Sequence, residues 1–110
     1  MMQWDVKYIR EAEKDFSRLD NAQKKLVLKA IQKVSQNPVS VSEGGYGKPL
    51  GHKYGNNLTG LMKIKLRGAG LRIVYRTEIG EDNVMRIIVI SVRSDNEVYE
   101  TANKRIRSGN

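Results

Sequence analysis

The stretch that decides the fold is Leu61-Met-Lys-Ile-Lys-Leu-Arg-Gly-Ala-Gly-Leu-Arg-Ile-Val-Tyr-Arg76. Aliphatic and cationic side chains alternate along it, and a period of two is typical of a β-strand with one apolar and one polar face. Glycines near the middle interrupt the alternation. The pattern predicts a β-hairpin whose turn is either the two residues Gly68-Ala69 or the four residues Arg67 to Gly70.

Either turn gives the same pairing: Leu66 faces Leu71, Lys65 faces Arg72, and Lys63 faces Val74. One face of the hairpin is then apolar, with Met62, Ile64, Leu66, Leu71, Ile73 and Tyr75. The other face is basic, with Lys63, Lys65, Arg72 and Arg76. Because no Asp or Glu occurs from Gly44 to Thr77, this face has no local carboxylate to neutralise it.

A solvated outer face of an ordinary sheet would carry a similar basic stripe. The cross-strand pair of Lys65 and Arg72 favours a functional reading, since like charges directly opposite each other are unfavourable. A positive face of this kind is usually there to meet phosphate, so RNA or DNA is the first partner to consider.

The rest of the chain predicts the other elements of the fold. Alternation from Met2 to Tyr8 predicts a strand, and Val84 to Val92, apolar nearly throughout, predicts a strand buried on both faces. Helical spacing predicts a first helix on Ala12, Phe16 and Leu19 and, after a cap at Asp20 or Asn21, a second helix on Leu26, Val27, Ala30, Ile31 and Val34. Ser94-x-x-Glu97 predicts a capping box that opens a short helix carrying Tyr99, Ala102 and Ile106.

The order β-α-α-β-β-β-α predicts a small single α+β domain, residues 1–110, with a mostly antiparallel twisted sheet, two N-terminal helices and a short C-terminal helix. Val39 to Asn57 contains five glycines and predicts a mobile connection. Its glycines match neither a Walker A motif nor a dinucleotide fingerprint. The tail from Arg107 to Asn110 is predicted to fray.

Composition narrows the partners and the compartment. The chain has 20 Lys and Arg against 12 Asp and Glu, a net charge of +8 and a pI near 9.9, which favours an anionic partner. It has no cysteine and therefore needs no oxidising compartment. Its N-terminus does not resemble a signal peptide, and its longest apolar run, Ile87 to Ile90, cannot span a bilayer. We expect a soluble cytoplasmic protein with no membrane partner.

The residue types available limit the chemistry. His52 is the only histidine, which excludes a two-histidine ribonuclease mechanism, and a lone loop histidine is more often idle than catalytic. The basic face lacks the clustered carboxylates that a two-metal nuclease needs. What remains is a cluster of Lys and Arg with a nearby tyrosine, which can orient a phosphodiester and stabilise charge that develops on it. The sequence therefore predicts no cofactor and no metal.

Several ordered segments resemble the RelE toxins of the RelE/ParE superfamily: Lys63-Ile-Lys65-Leu-Arg67, Leu71-Arg72-Ile-Val-Tyr75, and Val89-Ile-Ser-Val-Arg93 followed six residues later by Tyr99. Trp4 to Leu19 resembles the opening strand and helix of that family, Lys48-Pro-Leu-Gly51 its segment before the hairpin, and Glu97 to Ile106 its closing helix. The resemblance implies the toxin of a type II toxin-antitoxin pair, a ribosome-dependent and metal-independent endoribonuclease. It implies cleavage of messenger RNA in the ribosomal A site by attack of the 2′-hydroxyl on the adjacent phosphate.

Carried over by position, the resemblance makes Lys65 the general base, and Lys63 and Arg72 the residues that hold the scissile phosphate. Arg93 matches the acid or leaving-group stabiliser, and Tyr99 the residue that stacks on the nucleotide. Because guanidinium hardly ever deprotonates, we expect Arg93 to act as an electrostatic stabiliser.

Like charges crowd this predicted site. We expect Lys63, Arg72 and Arg93 to lower the pKa of Lys65, and the cluster, having no carboxylate, to reduce the stability of the free protein.

Further cations are predicted to bind RNA around the site: Arg67, Arg76, Lys48 and Lys53. Predicted partners are messenger RNA in the A site, ribosomal RNA, and an acidic, partly disordered antitoxin attracted by the charge of +8. Two alternatives stay open. A ParE-like toxin would share the fold and poison gyrase, but such relatives generally lack the lysine pair and the arginine-tyrosine combination. A non-catalytic RNA- or ribosome-binding module would need only the basic face.

Overall fold

The computed structural model describes residues 4–108, which form a five-stranded sheet with helices packed against it. The elements in chain order are β1 (Asp5–Tyr8), α1 (Arg10–Ser17), α2 (Asn21–Val34), β2 (Lys48–Lys53), β3 (Asn56–Leu66), β4 (Leu71–Glu78), β5 (Val84–Ser91) and α3 (Asp95–Arg107). This is the predicted α+β fold with one additional strand, β2. Met2 and Gln3 of the predicted first strand, and Gly109 and Asn110 of the predicted frayed tail, lie outside the described residues.

The strands lie in the order β1-β5-β4-β3-β2, with β1 parallel to β5 and all other neighbours antiparallel. In the hairpin of β3 and β4, Leu66 pairs with Leu71, Lys65 with Arg72, and Lys63 with Val74, so the predicted register is confirmed. The four-residue connection contains a 3-10 turn, Arg67–Ala69, and closes at Gly70 with φ 65°. Glycine adopts this left-handed conformation without strain.

The core lies on both faces of β4 and β5, as the apolar run of β5 predicts. Their fully buried side chains are Leu71, Ile73, Val74, Tyr75, Met85, Ile87, Ile88 and Val89. The Tyr75 hydroxyl finds a partner inside the protein, because it donates to the carbonyl of Pro38 at 2.8 Å. Gly47 packs against this bond so closely that an added Cβ would lie 2.3 Å from the Met62 sulfur and 2.7 Å from the Tyr75 oxygen.

Helix α2 begins at a capping box, which confirms the predicted cap at Asp20: its side chain accepts from the Gln23 amide at 2.8 Å, and Gln23 accepts from the Asp20 amide at 2.9 Å. The predicted apolar face is too wide. Leu26 is exposed, and the stripe that faces the core is Val27, Ile31 and Val34. The spacing of four and three residues keeps these side chains on one side of the helix.

The glycine-rich segment is not a simple connection, so that prediction is wrong. It contains a 3-10 turn, Val41–Glu43, and the edge strand β2, which pairs with β3 through a turn at Tyr54 and Gly55. Gly51 and Gly55 have φ angles of 61° and 76°. These glycines therefore serve defined left-handed backbone positions rather than flexibility.

Helix α3 is fixed by an ion pair rather than by its predicted capping box. Ser94 occupies the N-cap position, but its side chain makes no capping hydrogen bond within residues 4–108. Arg105 of α3 donates to Asp15 of α1 at 2.7 Å and to the Ile88 carbonyl at 2.8 Å. Asp15 also accepts from the Ile90 amide at 3.0 Å. These bonds hold α3 against the sheet, with its N-terminus beside β3 and β4. Within residues 4–108, each helix is too short or too polar to cross a membrane.

Candidate nucleic-acid interface

The predicted basic pair of the hairpin, Lys65 and Arg72, contacts a carboxylate that was not expected from the sequence. The ammonium of Lys65 donates to one carboxylate oxygen of Asp95 at 2.7 Å, and the Arg72 guanidinium donates to the other. Asp95 lies in the first turn of α3, thirty residues after Lys65. The hydrogen bond from Lys65 is the main cause that lowers the pKa of Asp95, and the bond from Arg72 adds to it. Asp95 is therefore ionised at neutral pH and neutralises part of the pair.

Arg93 reaches the cluster through its backbone. Its carbonyl accepts from the Arg72 guanidinium at 2.8 Å, while its own side chain is 71% exposed. The Arg93 guanidinium donates to the Glu97 carboxylate at 3.0 Å, four residues further along the chain. The expectation of a cationic cluster without carboxylates is therefore wrong, because the first turn of α3 brings Asp95 and Glu97 to it.

Lys63 lies beside a basic groove of about 260 Å³ lined by Lys48, Lys63, Lys65 and Arg67. Burial lowers the pKa of Lys63, and the charges of Lys65 and Lys53 lower it further, against an opposing effect of Asp95. The pKa of Lys63 is therefore lowered. Lys65, which was expected to be surrounded by like charge alone, contacts the Asp95 carboxylate instead.

A second groove of about 260 Å³ adjoins the first and is lined by Lys65, Leu66, Arg67, Gly70, Leu71 and Arg72. Lys65 and Arg67 line both grooves. The end of the hairpin therefore presents two grooves with shared walls, and ammonium and guanidinium groups from β3, β4 and the turn between them line these grooves. Such a surface fits a phosphodiester backbone, because each cation can donate to a phosphate oxygen.

Arg76 shares the strand β4 with Arg72 but not its surroundings. It donates to Glu78 at 2.8 Å, and Arg86 donates to the same carboxylate at 2.7 Å. These two bonds lower the pKa of Glu78 to about 2. The structure therefore does not bring Arg76 into the cluster around Lys65. The cations that it does bring together are Lys48, Lys53, Lys63, Lys65, Arg67 and Arg72. Arg93 joins them only through its backbone carbonyl.

Tyr99 is present beside the cluster but is only 2% exposed. Its ring stacks on that of Tyr54, with 6.0 Å between centroids and 30° between planes. Burial raises the pKa of Tyr99, with smaller effects from Asp95 and Arg72, so the phenol stays protonated at neutral pH. Tyr54 is 61% exposed. Its ring therefore lies on the solvent side of Tyr99, which is the residue that the sequence predicted to stack on the nucleotide.

Asp95 and Tyr54 are the residues of this interface that sequence reasoning missed. A signal for Asp95 was available, because pairing β4 with β5 places Ser91 opposite Arg72 and so brings the next turn of chain beside it. A signal for Tyr54 was also available. Lys53-Tyr-Gly-Asn56 places a glycine in a two-residue turn, which is typical of a tight hairpin.

The comparisons with known proteins agree with the fold described above. The chain is 29% identical over 109 residues to an Escherichia coli protein named as a RelE-like toxin, covering 96% of this chain and all of that protein. Its fold matches a mutant of the Escherichia coli toxin RelE in the free state, with a TM-score of 0.71 and 27% identity over 96% of this chain and 99% of that one. The chain is RelE-like. The resemblance predicted from the sequence is therefore confirmed.

Another solved structure similar to this RelE-like chain is a mutant of Escherichia coli RelE in complex with a peptide of the antitoxin RelB. It has a TM-score of 0.66 and 26% identity, and the match covers 94% of this chain and 98% of that one. No protein-family model matches the chain. Both likenesses extend over nearly the whole chain, so the chain is similar to RelE toxins along almost its full length.

Proposed function

We propose that this RelE-like toxin is a metal-independent endoribonuclease that cleaves messenger RNA in the ribosomal A site and so inhibits translation. The observation that carries the proposal is the position of Lys63, Lys65 and Arg72 along two grooves with shared walls, beside Arg93, in a RelE-like fold. Phosphodiester cleavage by such a site relies on positioning and electrostatics, because the side chains supply donors for a phosphate rather than ligands for a metal.

The proposed reaction uses the RNA as its own nucleophile. The 2′-oxygen attacks the adjacent phosphorus, the bond to the 5′-oxygen breaks, and the products are a 2′,3′-cyclic phosphate and a 5′-hydroxyl. A base takes the 2′-proton, while Arg72 stabilises charge on the phosphate and the exposed Arg93 stabilises the leaving oxygen. The leaving 5′-oxygen takes its proton from a water molecule, because a guanidinium is a poor donor. The mechanism requires RNA, since DNA has no 2′-hydroxyl.

Two lysines compete for the role of the base. The resemblance to RelE favours Lys65, whereas the electrostatics of the free protein favour Lys63, whose pKa is lowered. Lys65 donates to Asp95 as an ammonium, which has no lone pair, so Lys65 can take the 2′-proton only after it has given up a proton of its own and left that contact. A phosphate that binds Arg72 would compete with Asp95 for the same donors and would loosen it. The pH dependence of cleavage by Lys63→Arg and Lys65→Arg separates the two assignments. Replacing the true base should remove its ionisation from the pH–rate profile, whereas replacing the other lysine should leave that ionisation in place.

The proposed partners follow from charge and from the relatives. A net charge of +8 attracts both ribosomal RNA and an acidic antitoxin, and it accelerates association with either at low ionic strength. A related RelE is bound by a peptide of its antitoxin. We therefore expect the protein to act in the cytoplasm, where ribosomes are, and to be neutralised there by an antitoxin. Co-expression with an acidic antitoxin should rescue growth and give a stable complex.

A non-catalytic ribosome-binding module is the second candidate. The observations that favour it are the Asp95 carboxylate, which occupies Lys65 and Arg72, and the burial of Tyr99. Binding alone would need only the exposed cations of the grooves. The two candidates differ in one measurable result, the appearance of new RNA ends.

The test is cleavage of a reporter messenger RNA in a translating extract, with the ends mapped by primer extension. The wild type should cut the message during translation and leave the same naked RNA largely intact. Arg72→Gln should lose about 10²- to 10³-fold in rate, since it removes a donor to the developing charge. Lys29→Gln removes a positive charge from the exposed side of α2 and serves as the matched control. Ribosome binding without new RNA ends would favour the second candidate, and DNA breaks would favour a gyrase poison.

A further inference from the structure

Tyr54 combines two features that are rarely found together. It is 61% exposed, and it has φ 53° at the first position of the two-residue turn between β2 and β3. Left-handed backbone is common for glycine and asparagine but strained for a bulky side chain. A glycine or asparagine would form this turn with less strain. The tyrosine is therefore unexplained by the turn itself, and its ring is held in a defined place.

That place is against Tyr99. The two rings stack with 6.0 Å between centroids, and Tyr99 is almost completely buried. A nucleobase that approaches the interface therefore meets the outer surface of Tyr54 before it can reach Tyr99. The buried ring supports the exposed one from behind, which reduces the freedom that Tyr54 would lose on stacking.

Cations lie near this aromatic pair. Lys53 directly precedes Tyr54. Asp95, one helical turn before Tyr99 on α3, accepts hydrogen bonds from Lys65 and Arg72. An exposed aromatic ring beside a row of ammonium and guanidinium groups is the arrangement that binds single-stranded RNA. The bases stack on the ring while the cations contact the phosphates.

We propose that Tyr54 is a binding residue on which an unpaired RNA base stacks next to the phosphate held by Lys63, Lys65 and Arg72. The proposal rests on the proposed function for the identity of the RNA, and it gives Tyr99 the role of a buried support. Neither role depends on which lysine acts as the base.

Fluorescence tests the stacking without any cleavage. The chain has one tryptophan, Trp4, so Tyr54→Trp in a Trp4→Phe background reports on position 54 alone. A short single-stranded RNA should quench this emission at low salt. An abasic oligonucleotide of the same length should bind through its phosphates and leave the emission nearly unchanged. Equal quenching by both, or quenching by neither, would overturn the proposal.

Kinetics provide the second arm, using the cleavage assay in translating extract. Tyr54→Asn removes the ring yet suits the left-handed turn, so the variant should melt no lower than the wild type and should lose about 5- to 150-fold in cleavage efficiency. Tyr54→Phe should cleave normally. Tyr46→Asn, which removes another exposed tyrosine, is the matched control.

The outcomes separate the two proposals. If the wild type cleaves and Tyr54→Asn cleaves equally well, the stacking role is wrong and the proposed function stands. If the wild type does not cleave, the proposed function fails, while the fluorescence arm still decides whether a base stacks at position 54. If Tyr54→Asn loses affinity only for the antitoxin, the surface binds protein and the inference is overturned.

Discussion

Replacing Lys65 by alanine measures whether the cluster is held together by Asp95 or strained by like charge. If repulsion dominated, the variant would be more stable than the wild type. The structure predicts the opposite, because the Lys65 ammonium lies 2.7 Å from the Asp95 carboxylate and both side chains are about three-quarters buried, with exposures of 26% and 23%. The substitution removes one of the two cations that Asp95 accepts from and leaves Arg72 as the other.

The magnitude follows from distance and exposure. At 2.7 Å the Coulomb energy is about 6 kcal/mol at an effective dielectric constant of 20 and about 1.5 kcal/mol in water. Loss of hydration offsets much of this, since exposed pairs contribute about 0.2–1 kcal/mol and breaking a fully buried pair costs about 3–5 kcal/mol. Relief of repulsion with Arg72, which is directly opposite on β4, returns a few tenths. We expect Lys65→Ala to lose about 0.5–1.5 kcal/mol of folding stability. Each kcal/mol lost should lower the melting temperature by about 4–8 °C.

The assay is urea denaturation of wild type, Lys65→Ala, Asp95→Asn and the double variant at pH 7. The double-mutant cycle should give a coupling energy near 1 kcal/mol in favour of the native pair. Lys63→Ala is the control, because its cationic neighbours and its burial lower the pKa of Lys63, so its removal should leave stability equal or slightly higher. A Lys65→Ala protein as stable as the wild type, or more stable, would refute the argument and restore a cluster dominated by repulsion.

Three further predictions concern the fold. Arg86 and Arg76 lower the pKa of Glu78 from 4.5 to about 2, so the contribution of Glu78 to folding stability is complete above pH 4.5 and is lost as the pH falls toward 2. Because the side chain is 34% exposed, solvent screening reduces this contribution to about 1 kcal/mol. Urea titrations of wild type and Glu78→Gln should show this difference at pH 7 and its loss at pH 2.5. Asp15→Asn breaks a mostly buried bond network with Arg105 and should cost about 3 kcal/mol in the same assay, whereas the exposed control Asp82→Asn should change little; equal losses would contradict the tie between α1 and α3. Gly47→Ala places a methyl group against Met62 and Tyr75 and should cost about 1–3 kcal/mol, with a normal melting temperature as the contrary result and Gly68→Ala, whose added methyl faces open space, as the control.

The register of the β3-β4 hairpin could be predicted from the sequence because it depends on local pattern. Side chains alternate with a period of two, and the glycines mark the turn, so pairing Leu66 with Leu71 fixes every other pair along the two strands. The same holds for β5, which is apolar nearly throughout and is therefore expected to be buried on both faces. The start of α2 is also local, since Asp20 and Gln23 satisfy each other's backbone amides.

Strand β2 could not be predicted in this way. Lys48–Lys53 shows no alternation of apolar and polar residues, with Leu50 as its one buried side chain. An edge strand forms when its backbone groups find a partner, and that partner, β3, is defined only once the sheet exists. The glycine content of this segment therefore suggested a loop, whereas the tertiary structure contains a paired strand and a tight turn there.

The chemistry of the interface likewise depends partly on local sequence pattern and partly on tertiary packing. The sequence showed which cations share a face, because face membership depends on neighbours along the strand. The sign and strength of the field at that face depend on distance in space, and only the packing of α3 brings Asp95 to Lys65 and Arg72. Packing also buries Tyr99 behind Tyr54. Pattern along a chain reports which side chains can meet a ligand, and the fold alone decides which charges and rings already meet each other.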